Sequence, residues 1–583
     1  TYVYNEGLVV AGQTGVGALN ATNPNFQLLS NNYNQGATNH FGIFELNDQW
    51  TDNFSTQVRV SYADYTRLQQ PVGGNTSLGE FRTCLAAATT PPNNTCPAGT
   101  RQLTFGPDIS RQANELETQS LNIEFNATLK MNNHTLKAVV ERRTQDVRNL
   151  FAQRVSGAWY FDSIADLQGR QANELDIAVP LRGGIDTVTA QFQNNSWTFG
   201  LQDTIDLGDN FTLIAGFRYD LFDTPDQPFF NQAFLDRFNF PNNNSLNGIG
   251  LFQPRLGFNW KVSDRLQLRG SAGLFGGGSP NVWISNSYSN PGPTLGRIQV
   301  RRADNGTFTI SGLSGLSAAQ VQTLGAATLN NVSGGTGVPQ ALIDAIRTTG
   351  TAASPTNALD PNFNVPSQWR VSGSLDYNAN LGPLGDDWRL GVDMIWSRAK
   401  DALDWTDLRS VASGTLPDGR TRYQVLPGQG TTTNTDILLY NVDKGHSWNI
   451  VTRFNKRWDN GLRLQGSYTF QRARDFNPGT SSVAFSNYTN SAAGIDPNSS
   501  AYGISNYQRD NAFRLVAGYD TNLFGDNNTR FELFFNSQSG QRFSYTMADQ
   551  ASGNNRSNVF GVVGTNNRYL MYVPNVSSAT ADS

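Results

Sequence analysis

A chain of 583 residues is roughly two to four times the length of a usual domain, so it must divide into several cores or close one large β-structure. Charged residues make up only 15% against about 25% in ordinary soluble domains, while 11% are aromatic and Gly (56) and Pro (24) abound, which argues against a cytosolic enzyme. The net charge of −4 presents no basic face to nucleic acid. With a mean hydropathy of −0.44, no apolar run approaches the 18 or so residues a membrane helix needs, but a membrane β-barrel, half polar along every strand, remains open.

In chain order, period-two alternation marks about fourteen strands, near 41–50, 54–66, 116–130, 134–146, 196–206, 211–222, 253–262, 265–275, 367–378, 387–398, 447–457, 461–473, 508–521 and 529–540. Leu121, Ile123, Phe125, Ala127 and Leu129 against Asn122, Glu124, Asn126, Thr128 and Lys130 is the clearest case. Each run is about ten residues, the span of a tilted strand across a bilayer. Short Asn/Asp/Gly turns such as Asn132-Asn133 and Asp459-Asn460-Gly461 alternate with long Asn/Gly/Ser/Pro-rich stretches at 67–115, 147–195, 223–252, 276–366, 399–446, 474–507 and 541–583. A transmembrane antiparallel up-and-down β-barrel sorts its connections this way, with tight periplasmic turns and large external loops. On this reading the strands near 41–50 and 529–540 both leave an external end unpaired, so an odd number of strands is expected on either side, and Tyr2-Val3-Tyr4 is expected to be the tail of one. Two helical patterns, 317–324 and 339–347, are expected as decoration of the longest loop.

Trp197, Trp388 and Trp448 open strands while Trp260, Trp396 and Trp458 close them, as aromatic girdles at two membrane interfaces would. The polar strand face carries Arg59, Arg218, Arg269, Arg370, Arg389, Arg453, Arg463 and Arg514, out of phase with apolar neighbours, together with Glu124, Asp220, Asp376, Asp393, Asp520 and Glu532. Against lipid each arginine would cost about 2–4 kcal/mol at the midplane, so all are expected in the lumen, as an ion-pair ladder or as contacts for a plug or an anionic ligand. Cys84 and Cys96, in a Pro/Asn-rich stretch with no core to join, are expected as a local loop disulfide in an oxidising compartment. Signs of catalysis are scarce. His40, His134 and His446 form no metal motif, no lysine follows a glycine as a Walker A loop requires, and Gly276-Gly277-Gly278 precedes no helical pattern. No catalytic residue, metal or cofactor is expected.

Phe252-Gln-Pro-Arg-Leu-Gly-Phe-Asn-Trp260, Leu268-Arg-Gly-Ser-Ala-Gly-Leu-Phe-Gly276, Ser279-Pro-Asn-Val-Trp-Ile-Ser-Asn286 and Asp360-Pro-Asn-Phe-Asn-Val-Pro-Ser-Gln-Trp369 resemble the barrel of Oar-like TonB-dependent outer-membrane receptors. Ser481–Tyr488, Ser539–Tyr545 and Leu570–Pro574 extend the resemblance through most of residues 250–575, while the first 250 match mainly in pattern. The resemblance implies a barrel of about 22 strands with a plugged lumen in the cell outer membrane. It further implies contact with outer-membrane lipid and lipopolysaccharide, the TonB complex as energy-coupling partner, and uptake of a scarce siderophore, carbohydrate or peptide. Neither a plug nor a TonB box is recognisable in the sequence. A passive porin, or a secreted all-β binding or carbohydrate-active protein with its apolar face inside, stands as the alternative.

Overall fold

The computed structural model describes residues 2–11 (backbone), 25–74, 77–86, 96, 100–277, 281–292, 294–303, 305–332, 338–349, 356–428, 435–547, 556–564 and 568–573. Gly278, Ser279 and Pro574, noted above, lie outside the described residues.

Fifteen long strands follow one another as an antiparallel meander. They are β1 (Tyr2–Ala11), β2 (Tyr33–Thr51), β3 (Phe54–Pro71), β4 (Asn114–Met131), β5 (His134–Phe151), β6 (Asn195–Asp206), β7 (Phe211–Asp223) and β8 (Gly250–Ser263). The meander continues through β9 (Leu266–Gly276), β10 (Ser367–Ala379), β11 (Trp388–Asp407), β12 (His446–Arg457), β13 (Leu462–Asp475), β14 (Asn511–Phe524) and β15 (Asn527–Gln538). Each pairs in register with the next, from Tyr2 opposite Gly42 to Ala512 opposite Gln538. All fourteen expected strands are present, and Tyr2-Val3-Tyr4 opens a full strand. Several strands outrun their sequence signal, β2 by starting at Tyr33. Beyond the bilayer neither face needs to be apolar, so Asn34, Gln35, Thr38 and Asn39 stay paired without alternating.

Seven short turns close one end of the meander, and the long connections gather at the other. The turns need residues that tolerate positive φ: Asn132 lies at φ 50° and Gly461 at 88°. A Cβ on Gly461 would stand 2.0 Å from the Asp520 carbonyl oxygen, so this turn admits only glycine.

Apolar side chains of one face are left uncovered by protein, as Ile123 and Phe125 (each 45% accessible), Leu256 (54%) and Leu533 (68%) show, with Phe217 also exposed and Leu268 half-buried. A soluble protein would have to bury that face, so this observation removes the secreted all-β alternative. Lipid is the medium that suits it. Two aromatic rows bound the face. Trp388 and Trp458 meet edge-on at 5.6 Å near the short turns, and eight residues along β11 Trp396 meets Trp448 at 6.1 Å. Eight strand residues at about 3.3 Å each, tilted about 40°, span roughly 20 Å of apolar layer.

The long connections are folded rather than loose. Asn25–Gln27, Glu80–Cys84, Gln102–Phe105, Ala158–Phe161, Glu174–Pro180, Leu295–Arg302 and Phe308–Ser311, from four separate connections, form a second, seven-stranded sheet. Its core of Phe81, Trp159, Leu175, Ile298 and Val300 is covered by helices Ala318–Leu329 and Gln340–Thr349 through Leu329, Leu342 and Ile346. The two helical patterns are therefore structural, not decoration: each buries its apolar side on this sheet. Ser317 and Gln320 close a capping box on the first helix, and Arg302 binds the Leu329 carbonyl at its C-terminus. Cys84 and Cys96 are bonded, with Cα atoms 5.5 Å apart, and are buried against Tyr160 of the same sheet.

Candidate functional site

The polar face of the sheet is a wall of paired charges, built because side chains alternate and each register step brings opposite signs into reach. Arg59 on β3 lies 3.0 Å from Glu45 on β2 and 4.0 Å from Glu124 on β4. Arg218 on β7 binds Asp220 at 2.8 Å and the Thr198 hydroxyl at 3.0 Å, with Glu141 at 4.0 Å. Four strands are laced together further round. Arg269 of β9 pairs with Asp376 of β10, which also accepts from Arg453 of β12 at 2.5 Å, while Arg453 reaches Asp393 of β11 at 2.8 Å. Arg463 binds Glu532 at 2.6 Å, and Asp520 accepts from Arg530 at 2.7 Å. Arg370 stacks over Phe275 at 5.5 Å. Arg389 and Arg514 face the same side without an ion pair among the described residues, set in register against Asn455 and Asn536.

Within this wall lies a depression of about 390 Å³ lined by Asn126, Lys137, Gly200, Gly216, Arg218 and Arg255. Glycine makes its floor low: a Cβ at 200 would stand 2.5 Å from the Val139 side chain, and one at 216 would stand 2.6 Å from the Leu201 carbonyl. Arg255, 4.6 Å over Phe275, was missed in the sequence reading although it follows the same phase as Arg218 through the Gly216–Arg255 register. Its neighbour Pro254 obscures the alternation there.

A second charged cluster, invisible in the sequence, lies among the long connections. Arg409 and Asp436, both fully buried, pair at 2.7 Å, and Arg237 from helix Gln232–Phe238 joins Asp436 at 3.0 Å. Asp407 accepts from the Ser410 hydroxyl at 2.6 Å and sits 3.5 Å from Arg556. Burial pushes the Asp407 carboxyl up, against the pull of that hydroxyl and guanidinium, and burial likewise lowers the Arg237 pKa. Asp404 accepts from Asn477, Ser500 and Tyr440, so connections 224–249, 408–445, 476–510 and the segment from 556 converge on the end of β11. Around them Trp405, Leu439, Tyr488 and Tyr288 form one core with the strand-end residues Val147, Phe222, Leu251 and Leu274. No sequence motif announces this cluster, because its members come from four connections.

Among the described residues no group of three or more His, Cys, Asp or Glu is placed to hold a metal ion. His134 instead binds Asp203 at 2.7 Å, and His446 meets the Tyr502 hydroxyl at 2.9 Å.

An antiparallel meander with an uncovered apolar face, two aromatic rows and a charged opposite face defines an outer-membrane β-barrel protein. The outer membrane beta barrel domain family matches residues 3–577, and the chain belongs to that family, whose place is the cell outer membrane. Similar solved structures include the FrpB iron transporter of Neisseria meningitidis (10% identity, 91% of this chain and 56% of that one, TM-score 0.44). The outer membrane transporter YddB of Escherichia coli is similar at 8% identity, over 92% of this chain and 59% of that one, with a TM-score of 0.47. The siderophore receptor PirA of Pseudomonas aeruginosa is similar at 10% identity, over 87% and 64%, with a TM-score of 0.34. The chain spans less than two thirds of the length of each. No curated protein sequence matches it.

Proposed function

We propose that this chain is barrel wall and outer loops of a TonB-dependent receptor that actively imports a scarce ligand, such as a siderophore, carbohydrate or peptide. The observation that carries this reading is the packed assembly of long connections at the barrel mouth, with its own sheet, core and buried ion pairs. A passive pore needs an open aqueous entrance, whereas a receptor needs a shaped surface that meets the ligand first. On this reading the long connections face outward, the short turns face the periplasm, and Arg59, Arg218, Arg269, Arg370, Arg389, Arg453, Arg463 and Arg514 line the lumen.

The decisive experiment compares the intact protein in outer membranes of cells with and without TonB, together with its conductance in planar bilayers. Energy-dependent uptake abolished without TonB, and closed bilayers, are the expected results. Steady conductance with TonB-independent uptake would establish the passive porin instead.

A further inference from the structure

Six lysines occur in the whole chain, and two of them, Lys400 and Lys444, line a single depression of about 410 Å³ with Phe476. The strand register explains what surrounds it. Arg398 on β11 stands opposite His446 on β12, which stands opposite Arg474 on β13. This row lies two residues along from Trp396, Trp448 and Arg472, hence on the same lipid-side face, one step beyond the aromatic row on the side of the long connections. Strands about 4.8 Å apart place the two guanidinium-bearing positions about 10 Å from each other across the imidazole.

Nearby acids do not neutralise the row. Asp401 is held by the Ser367 hydroxyl at 2.8 Å and by Lys400 at 3.0 Å, and Asp510 is taken by Arg472 at 2.8 Å and by Arg542. Asp443 lines the depression beside Lys444. Arg398 and Arg474 are exposed and have no ion pair or hydrogen bond from their guanidinium groups among the described residues. At the other membrane boundary the exposed Asp386, Asp387 and Asp459 stand beyond Trp388 and Trp458, with Lys456 drawn in over the Trp458 ring and onto the Asp386 carbonyl.

We propose that Arg398, His446 and Arg474, with Lys400 and Lys444, form a seat on the outside of the barrel for the phosphate groups of an outer-leaflet lipid. The argument is one of position and chemistry. Tryptophan rows fix the depth at which lipid headgroups lie, and cations just beyond that depth meet phosphate. Arginine forks suit phosphate oxygens, and exposed apolar residues below, Trp448 among them, meet acyl chains. The choice of leaflet rests on the proposed outward orientation of the long connections; the seat itself does not.

The test uses the intact protein purified in detergent, with lipopolysaccharide, its enzymatically dephosphorylated form and inorganic pyrophosphate as probes. Binding to the dephosphorylated lipid should be at least tenfold weaker, and pyrophosphate should compete only at concentrations far above those of the lipid. Pyrophosphate binding as tightly as the lipid would make this a free-phosphate site and overturn the lipid assignment. R398A/R474A should lose tenfold or more in lipid binding, R398K/R474K should keep most of it, and K130A/K261A, changing the same charge elsewhere, should match wild type. Equal binding by the R398A/R474A variant, verified as folded by heat-modifiable gel mobility, would refute the seat; should that variant not fold, the R398K/R474K variant and the probe comparison on wild type decide. Labelling of T415C on whole cells by a membrane-impermeant thiol reagent separately tests orientation. Failed labelling with intact lipid selectivity would overturn the orientation and the leaflet, not the seat.

Discussion

The wall and the mouth hold charges in opposite ways. In the wall, Arg453 and its partners Asp376 and Asp393 keep roughly a third of their side-chain surface accessible, so each pair sits in a hydrated setting and contributes little to stability. At the mouth, Arg409 and Asp436 are fully buried, and loss of Asp436 would strand both Arg409 and Arg237 as unpaired charges in a dry core. The wall is held by backbone ladders and needs its charges only to be wetted and balanced. The mouth has ladders too, in its seven-stranded sheet, but connections 224–249 and 476–510 and the segment from 556 reach Asp404, Asp407 and Asp436 through side chains. The difference teaches that the same residue types are adjustable on the polar face of the wall and structural among the long connections.

The largest effect should come from breaking the buried pair. Asp436→Ala, which leaves the buried Arg409 and Arg237 without their shared carboxylate, is expected to cost about 3–5 kcal/mol within the mouth assembly, seen as faster hydrogen exchange and proteolysis in connections 224–249 and 408–445 while heat-modifiable mobility of the barrel is kept. Loss of the barrel itself would show that the two regions fold as one. Leu175→Ala, removing a fully buried side chain from the seven-stranded sheet, should cost about 2–5 kcal/mol, read by the same exchange experiment on residues 158–180 and 295–311. Opening the Cys84–Cys96 ring, whose sequence separation is 12, should cost at most about 3 kcal/mol and be confined to that connection, read as new protease sites between residues 85 and 101 under reducing conditions.

The smallest stability effects belong to the wall. Arg269→Ala and Arg453→Ala should each change barrel stability by only about 0–1 kcal/mol, yet, on the proposed function, alter uptake by the intact protein if the polar-face charges meet a plug or a ligand. Unfolding measured by heat-modifiable mobility, alongside uptake per folded molecule, separates the two. Lost folding with unimpaired uptake per folded molecule would make these residues structural, and the contrast between wall and mouth would collapse.

Transmembrane order was legible because a bilayer imposes its own period: Leu121 to Leu129, Phe211 to Tyr219 and Trp388 to Trp396 alternate wherever one face meets lipid and the other water. The same rule put Arg218, Arg269 and Arg453 on the polar face before any coordinates, since lipid excludes them from the other. Partner choice was a matter of register, which sequence does not state: Arg453 is 60 residues from Asp393 and 77 from Asp376. Outside the bilayer the imposed period vanishes, and with it the signal. Strands such as Glu80–Cys84 and Glu174–Pro180 are short, irregularly spaced and partnered across connections, so long-range packing alone assembled their sheet. Arg398 ends a strand whose alternation places it on the lipid-side face, but His446 and Arg474 lie just outside the stretches 447–457 and 461–473 that alternation marks, and only pairing brought the three into one row, because side-by-side register is a property of the folded sheet and not of any one strand.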